Sequence, residues 1–177
     1  MNTVPGQLPR LLYIGDVPVE ASYHGSALLY RLLQTYPPDR LRIIEAGLAA
    51  SQVDRRLPRV IYSTALQPGR RWLHTRFHRW VSSVFSLQAA SRLRAIERAV
   101  NGFKPEAILT VAHGYSWLTA AEFARRRQLP FHMIVHDDCP RVLRSLRPVQ
   151  EWVERQFCRR YRQATARLCV SPYMVEE

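Results

Sequence analysis

The stretch that decides the fold is EAILTVAHGYSWLTAAEFARRRQLPFHMIV, residues 106–135. It begins and ends with short apolar runs, and residues 116–127 between them have a helical pattern that finishes on three arginines. Short, nearly continuous apolar runs are typical of strands buried on both faces of a sheet. Basic side chains suit the negative end of a helix. The stretch therefore predicts a strand, a helix and a second strand parallel to the first.

The same alternation extends in both directions along the chain. Further strands are predicted at residues 11–14, 41–45, 59–62 and 168–170, and further helices at residues 26–36, 71–85, 88–100 and 149–161. Strands separated by helices indicate the α/β class. We expect a single domain over residues 1–177, with a Rossmann-like parallel sheet flanked by helices on both faces and joined by right-handed crossovers.

Composition narrows the cellular setting. The 177 residues contain three scattered cysteines, Cys139, Cys158 and Cys169, with no C-x-x-C spacing, which argues against a disulfide framework or a zinc site. The apolar runs are too short to span a bilayer, and the first residues lack the layout of a secretory signal. We therefore expect a cytoplasmic protein without a cofactor.

Charge suggests the kind of partner. The formal net charge is +12, and among 26 basic residues only Lys104 is a lysine. Arginine binds phosphate in a bidentate way, so a membrane surface, a phosphorylated acceptor or nucleic acid are candidate partners. The alternative is a genome rich in arginine codons and a solvated surface. The basic residues are spread over several helices without a docking motif, so no specific nucleic acid is expected.

Polar side chains follow three of the predicted strands, where ligands of parallel sheets bind. The first strand is followed by Asp16 and by a loop that leads to a helix start. Two other strands are followed by histidine-containing segments. The substrate-binding candidates are Asp16, His24, Gly25, Ser26, His113, Gly114 and Asp138, and the catalytic candidates are His136 and Asp137. Their convergence predicts a binding crevice.

Each of these residues also has a purely structural interpretation. Asp16 could initiate a turn, His113 could be packed with its nitrogens bonded to backbone, and Asp137 and Asp138 could cap a loop. His136 is the strongest candidate, because an imidazole can donate to a sugar hydroxyl or a phosphate while neighbouring acids orient it.

The glycine pattern limits the kind of phosphate site. Free N–H groups at a helix start attract phosphate, and Gly25 would let a ligand approach the backbone. The chain contains neither G-x-G-x-x-G nor a P-loop, so a dinucleotide site is not supported. His74 and His78 are spaced for one helix face, but no third ligand accompanies them, and no metal is expected.

An amphipathic segment suggests a membrane contact. Residues 70–85, RRWLHTRFHRWVSSVF, combine aromatic and aliphatic side chains with arginines. Such mixtures lie in membrane interfaces, with tryptophan at headgroup level and arginine on anionic lipid. The membrane candidates are Arg70, Arg71, Trp72, Arg76 and Trp80. The alternative is a helix packed on the sheet with solvated arginines.

Three segments carry a resemblance to a known family: LLYIGDVPVEASYHGSALLYRLL, PEAILTVAHGYSWLTAAEFARRRQLPFHMIVHDDCP and LCVSPYMVEE. They resemble the amino-terminal domain of family-four-like GT-B glycosyltransferases, most tellingly at HDD and VSPYM. The resemblance runs nearly the whole chain and is weakest over residues 51–88. It implies one half of a GT-B fold, in which two Rossmann-like domains face each other across a cleft.

The resemblance also implies an activity. In this family the amino-terminal domain binds the acceptor, here a sugar or a glycolipid, and a second domain holds the nucleotide sugar. Hexosyl transfer retains the anomeric configuration and needs no essential metal. By this resemblance Gly25 would lie near the donor diphosphate and His136 near the transferred sugar, with Asp137 positioning it. Many relatives have two glycines where this chain has His24 and Gly25, which puts close diphosphate approach in doubt.

The end of the sequence adds an expectation about completeness. Ser171 and Pro172 have the pattern of a helix start, and the sequence ends at Glu177. We expect truncation before the donor-binding domain and negligible transferase activity for the chain alone. The alternative is a non-catalytic module of a split transferase that binds a sugar phosphate or a partner. A lipid-linked acceptor would place the protein peripherally at the inner face of the membrane.

Overall fold

The computed structural model describes residues 8–22, 24–65, 70–135 and 139–169, without the side chains of residues 70, 71, 90, 141 and 142. Within these residues six strands form one sheet, and every neighbouring pair is parallel. The strands are β1 Leu11–Gly15, β2 Leu41–Glu45, β3 Ile61–Thr64, β4 Ala107–Val111, β5 Phe131–Val135 and β6 Ala166–Cys169. The predicted α/β class with a Rossmann-like parallel sheet is confirmed.

The strand order fixes where a crevice can form. The order across the sheet is β3-β2-β1-β4-β5-β6, so the chain moves outward from β1 to β3 and then returns to β4 on the other side of β1. The connections after β1 and after β4 therefore lead to opposite sides, and a crevice opens between them at the carboxyl ends of the strands.

Helices cover both faces of the sheet. They are α1 His24–Leu33, α2 His78–Leu87, α3 Leu93–Val100, α4 Ser116–Arg127, α5 Cys139–Leu143 and α6 Arg147–Gln163. Side chains alternate along β1: Tyr13 packs with the α1 residues Leu29 and Leu33, whereas Leu12 and Ile14 join a larger core with α2 to α6. Because the sheet is buried on both faces, its strands consist of nearly continuous apolar runs in the sequence.

Several boundaries differ from the sequence expectation, and α1, α6 and β6 each begin two residues earlier than predicted. β3 begins two residues later than predicted, because Arg59 has a φ of 64° and forms a turn. The helix predicted over residues 71–85 is divided into a 3₁₀ helix, Arg70–His74, and α2. At the division the Thr75 hydroxyl donates to the Trp72 carbonyl at 2.7 Å and accepts from the Phe77 N–H at 3.2 Å. Such side-chain bonds compete with the helical backbone pattern.

A similar division shortens the helix predicted over residues 88–100. It consists of a 3₁₀ turn, Gln88–Ala90, and α3, and the Ser91 hydroxyl donates to the Gln88 carbonyl at 2.7 Å between them. The predicted end is confirmed, because Asn101 is left-handed with a φ of 39°. Helix α5 was not predicted, and the helix start expected after residue 170 lies outside the described residues.

None of the described helices combines the length and the apolar character needed to cross a bilayer.

Candidate ligand-binding cleft

Asp16 and Gly114 are in contact at the crevice between β1 and β4. Asp16 follows β1, and its Oδ2 accepts the N–H of Ser116, the first residue of α4, at 2.6 Å. Gly114 lies in the loop that follows β4 and has a φ of 68°, which favours glycine. A Cβ on Gly114 would lie 2.5 Å from the Asp16 Cγ. The carboxylate therefore packs directly on the glycine backbone and caps α4 from a distant part of the chain.

Burial makes Asp16 electrostatically unusual. Part of the residue is exposed, but its Oδ1 is enclosed and has no hydrogen-bond partner among the described residues. Burial raises the pKa of Asp16 to about 6, and the hydrogen bonds from Ser116 and the charge of Arg92 oppose the rise. A strongly perturbed carboxyl at the ligand-binding edge of a parallel sheet marks a candidate functional position.

Arg92 joins the ends of two strands to the same helix start, a role that the sequence analysis missed. Its Nη2 donates to the carbonyls of Ala46 at 2.5 Å and Ala65 at 2.7 Å, just beyond β2 and β3. Its Nη1 lies 3.5 Å from the Ser116 hydroxyl. Burial lowers the pKa of Arg92, although the charge of Asp16 raises it. The sequence pattern could have indicated this role, because Arg92 lies among the inward-facing apolar residues of the helix predicted over residues 88–100.

A cleft of about 830 Å³ opens at this end of the sheet. Three of its lining residues, His113, Gly114 and Tyr115, follow β4, and Leu48 follows β2. The remainder come from the segment before and within α2 and from the end of α5. Its further lining residues are Leu73, His74, Thr75, His78, Ser82, Leu143 and Arg144. Its volume lies in the range of small-molecule sites.

The cleft is rich in groups that can bind anions. It is lined by the three histidines His74, His78 and His113, together with Arg144. Arg144 is exposed and has a φ of 46°, an uncommon backbone conformation for a residue with a side chain. Within the described residues no cluster of three or more His, Cys, Asp or Glu side chains could hold a metal ion. Imidazole and guanidinium groups can donate hydrogen bonds to phosphate oxygens.

Hydrogen bonds fix the wall that α2 contributes. The Ser82 hydroxyl donates to the Leu143 carbonyl at 2.5 Å and lies 3.0 Å from the Ser145 hydroxyl. The Leu146 N–H donates to the Ser83 hydroxyl at 2.9 Å. These bonds hold α2 against the segment that carries Arg144, so the two sides of the cleft are joined.

The structure brings together only some of the predicted site residues. His113 and Gly114 line the cleft, and Asp16 contacts Gly114. His24, Gly25 and Ser26 begin α1 and are not among the described residues that line the cleft. Ser26 is only 9% exposed, whereas His24 is exposed with a φ of 55°. The first turn of α1 and the cleft are thus two separate candidate positions.

Three predicted residues cannot be placed. His136, Asp137 and Asp138 lie outside the described residues, although β5, which precedes them, ends at the same edge of the sheet as β4. Of the five membrane candidates, the side chains of Arg70 and Arg71 are not described, whereas Trp72, Arg76 and Trp80 are exposed.

A second buried charge beside the cleft serves the fold. Glu45, at the end of β2, is fully buried and accepts the Ser51 N–H at 3.1 Å, and Arg56 lies 3.4 Å from its Oε2. The Arg56 guanidinium also stacks 4.7 Å from the ring centre of Tyr62. Because every partner belongs to the β2–β3 connection, Glu45 stabilises that loop rather than a ligand.

Two other depressions are weaker candidates. One, of about 410 Å³, lies between residues 102–105 and the end of α4, at the amino ends of the strands. Parallel sheets bind ligands at the opposite end. The other is a shallow groove lined by residues 151–163 of α6 alone. The cleft beside β4 is therefore the favoured site.

In comparisons with known proteins, no protein-family model matches the chain, and no curated protein or solved structure gives a significant match.

Proposed function

We propose that the chain is the acceptor-binding half of a sugar-transferring enzyme of the GT-B type. The observation that carries the proposal is the cleft at the carboxyl end of β4, lined by the imidazoles of His74, His78 and His113 and by the guanidinium of Arg144. Imidazole and guanidinium groups donate hydrogen bonds to phosphate and hydroxyl oxygens. The resemblance of the quoted sequence segments supplies the reaction class.

The cleft also has surfaces for the non-polar side of a sugar. Leu48, Leu73 and Leu143 line the cleft beside the histidines and Arg144. Tyr115, a further lining residue, is buried, and its ring packs edge-on against Phe85 with 5.4 Å between the ring centres. Small-molecule sites commonly combine an apolar lining with a few polar groups that orient the ligand. A sugar phosphate is the ligand class that we propose.

The described lining of the cleft supplies groups that bind a ligand. The nearby carboxyl, Asp16, is bonded to the start of α4 and positions the His113–Gly114 turn. The proposed catalytic residues, His136 and Asp137, follow β5, which ends at the same edge of the sheet as β4. By the resemblance we assign acceptor binding to this chain and donor activation to a second Rossmann-like domain, with the nucleotide sugar as cosubstrate. The alternative is a non-catalytic module whose cleft only binds a sugar phosphate.

Calorimetric titration with sugar phosphates tests the proposal. We expect a hexose 1-phosphate to bind and the neutral hexose to bind more weakly. Arg144→Ala should weaken the phosphate ligand about tenfold, the loss expected for one charge-assisted hydrogen bond. Arg98→Ala is the matched control, because Arg98 is an exposed arginine on α3 that is not among the cleft residues.

The outcomes separate the alternatives. Equal weakening by Arg144→Ala and Arg98→Ala would mean that net charge alone attracts the phosphate. An absence of binding by any sugar phosphate at millimolar concentration would remove both the transferase and the binding-module proposals. Hexose transfer to a glycan acceptor, observed when a donor-binding domain is added, would favour the enzyme over the module.

A peripheral position at a membrane is also a proposal. It would suit a glycolipid acceptor, and it rests on the exposed side of the segment that forms one wall of the cleft.

A further inference from the structure

Helix α2 exposes apolar side chains although polar ones are buried on its inner face. The inner face contains the serines Ser82, Ser83 and Ser86, which are hydrogen-bonded to backbone and side-chain atoms, beside the buried Phe85. The outer face exposes Trp80 at 63% and Leu87 at 57%. A surface helix normally buries its apolar stripe and exposes its polar one. The exposed tryptophan and leucine indicate that the outer face is suited to contact something other than water.

The apolar outer face continues beyond α2. Five of the eleven exposed large hydrophobic side chains among the described residues fall between residues 72 and 87. We call them the outer face: Trp72, Phe77, Trp80, Val84 and Leu87. The last four have spacings of three, four and three residues, so they share one side of the helical segment.

The charges in the sequence segment that carries the outer face have one sign. Residues 55–96 contain nine arginines and no aspartate or glutamate. Arg76 and Arg79 are exposed beside the tryptophans, and the Arg76 guanidinium lies 4.9 Å from the ring centre of Phe77. An arginine interleaved with tryptophan and aliphatic side chains is suited to the interface of an anionic bilayer.

We propose that the outer face, with Arg76 and Arg79, docks on the surface of a bilayer that contains anionic lipids. The aromatic and aliphatic side chains enter the headgroup and upper acyl region, and the arginines pair with lipid phosphates. A second copy of the chain is disfavoured as the occupant, because a two-fold interface would face the same arginines across it without a carboxylate between residues 55 and 96 to pair with them.

Docking by the outer face would also place the cleft near the lipid surface. His78 and Ser82 line the cleft from the inner side of α2, whereas Trp80, Val84 and Leu87 lie on the other side of the same helix. The cleft is therefore separated from the bilayer by about one helix diameter, roughly 10 Å. This consequence rests on the proposed function: an acceptor sugar carried on a lipid phosphate could reach the cleft without leaving the membrane.

Vesicle flotation tests the docking. The purified chain is mixed at low salt with vesicles of phosphatidylcholine alone or with about one third phosphatidylglycerol, a composition chosen to raise the negative surface potential. We expect flotation with the anionic vesicles only. The double variant Trp80→Ser, Leu87→Ser should reduce partitioning about tenfold or more, because both side chains contribute apolar area to the contact.

A matched control comes from α1 on the other face of the sheet. Leu28 and Leu32 are 45% and 47% exposed, so Leu28→Ser, Leu32→Ser also replaces two exposed apolar side chains of one helix, although it removes less apolar surface than the Trp80→Ser, Leu87→Ser variant. We expect this variant to float like the wild type. Arg76→Gln, Arg79→Gln should weaken flotation, whereas Arg94→Gln, Arg98→Gln on α3 should weaken it less. Far-ultraviolet circular dichroism confirms that each variant is folded.

Three outcomes would overturn the docking proposal. They are equal flotation of the wild type and the Trp80→Ser, Leu87→Ser variant, equal flotation with neutral and anionic vesicles, and a vesicle-independent change of oligomeric state in that variant. The last result would assign the face to a protein contact. Binding of a soluble sugar phosphate does not depend on the outer face, so its persistence in that variant would keep the two proposals separate.

Discussion

The Asp16 carboxylate lies directly on the backbone of Gly114, and its Oδ2 accepts the Ser116 N–H at 2.6 Å. This contact joins the connection after β1 to the connection after β4, the two loops that diverge at the crevice of the sheet. It also occupies the positive end of α4 with an internal carboxylate. An external anion at this edge would therefore bind elsewhere, and the cleft beside His113 offers imidazole groups and the guanidinium of Arg144.

Gly114→Ala tests the contact through stability. The new Cβ would meet the Asp16 Cγ at 2.5 Å and would hold a left-handed conformation, so we expect a loss of about 2–4 kcal/mol in the free energy of unfolding. Gly102→Ala is the matched control, because Gly102 has a φ of 78° but nothing within 4 Å of the added Cβ. Urea denaturation should show a loss of only about 1 kcal/mol there. Equal losses at both glycines would contradict the contact.

Asp16→Asn should change how stability depends on pH. The pKa of Asp16 is about 6 in the folded protein and 3.8 in the reference state, so the folded state holds the proton more tightly. Asp16 therefore favours folding at low pH, and its contribution declines as pH rises from about 4 to about 6. The full effect is on the order of 2–3 kcal/mol.

Thermal or urea unfolding of Asp16→Asn across that pH window provides the measurement. The decline should be smaller in the variant and should persist in Asp54→Asn, which alters an exposed aspartate. A wild-type decline that survives unchanged in Asp16→Asn would show that other groups cause it.

Arg92→Met should destabilise the strand ends near the cleft. It removes the donor to the carbonyls of Ala46 and Ala65 from a partly buried position. The Ala46 carbonyl keeps the Ser116 hydroxyl, which lies 3.0 Å away, so the cost comes from the loss of two charge-assisted hydrogen bonds. We expect a loss of about 2–3 kcal/mol in the free energy of unfolding. Arg94→Met alters an exposed arginine two residues away and should cost less than about 0.5 kcal/mol. Similar losses in both variants would remove the special role of Arg92.

Glu122→Gln tests the ionic cluster that Glu122 of α4 forms with three arginines. Glu122 lies 2.6 Å from Arg125, 3.0 Å from Arg126 and 3.6 Å from Arg160. The hydrogen bond from Arg125 lowers the pKa of Glu122 to about 2. A lowered carboxyl pKa stabilises the fold above about pH 4.5, and this contribution is lost as pH falls toward 2.

At neutral pH we expect Glu122→Gln to cost about 1 kcal/mol, because solvent screens the exposed arginines Arg125 and Arg126. Glu97→Gln is the control, since Glu97 is exposed and, among the described residues, pairs only with Arg127, at 3.8 Å. Its loss at neutral pH should be within about 0.5 kcal/mol. A larger effect at Glu97 than at Glu122 would contradict the cluster.

The parts of the fold that are local in sequence could be predicted. The strands of a parallel sheet are buried on both faces, so runs such as residues 107–111 and 131–135 are visible as short apolar segments. The breaks at Thr75 and Ser91 were missed, because a single hydroxyl that bonds to nearby backbone leaves the apolar pattern unchanged. Helix α5 has only five residues and too little periodicity to recognise.

The site could be predicted only in outline. The rule that ligands bind at the carboxyl ends of parallel strands correctly brought Asp16, His113 and Gly114 to one edge. The pairing of Asp16 with Ser116 spans 100 residues, and no local pattern encodes it. His74 and His78 were considered only as a metal pair, because the sequence does not show that the end of the 3₁₀ helix and the start of α2 line the same cleft as His113.

The most direct test of the proposed site is to map where a sugar phosphate binds. Two-dimensional ¹H–¹⁵N spectra of the labelled chain, titrated with a hexose 1-phosphate, report the position of the ligand residue by residue. We expect saturable shifts at the amides of His78, His113, Gly114 and Arg144, which surround the cleft. Shifts confined to residues 102–105 at the opposite end of the sheet, or none that saturate, would contradict the assignment of the cleft as the ligand site.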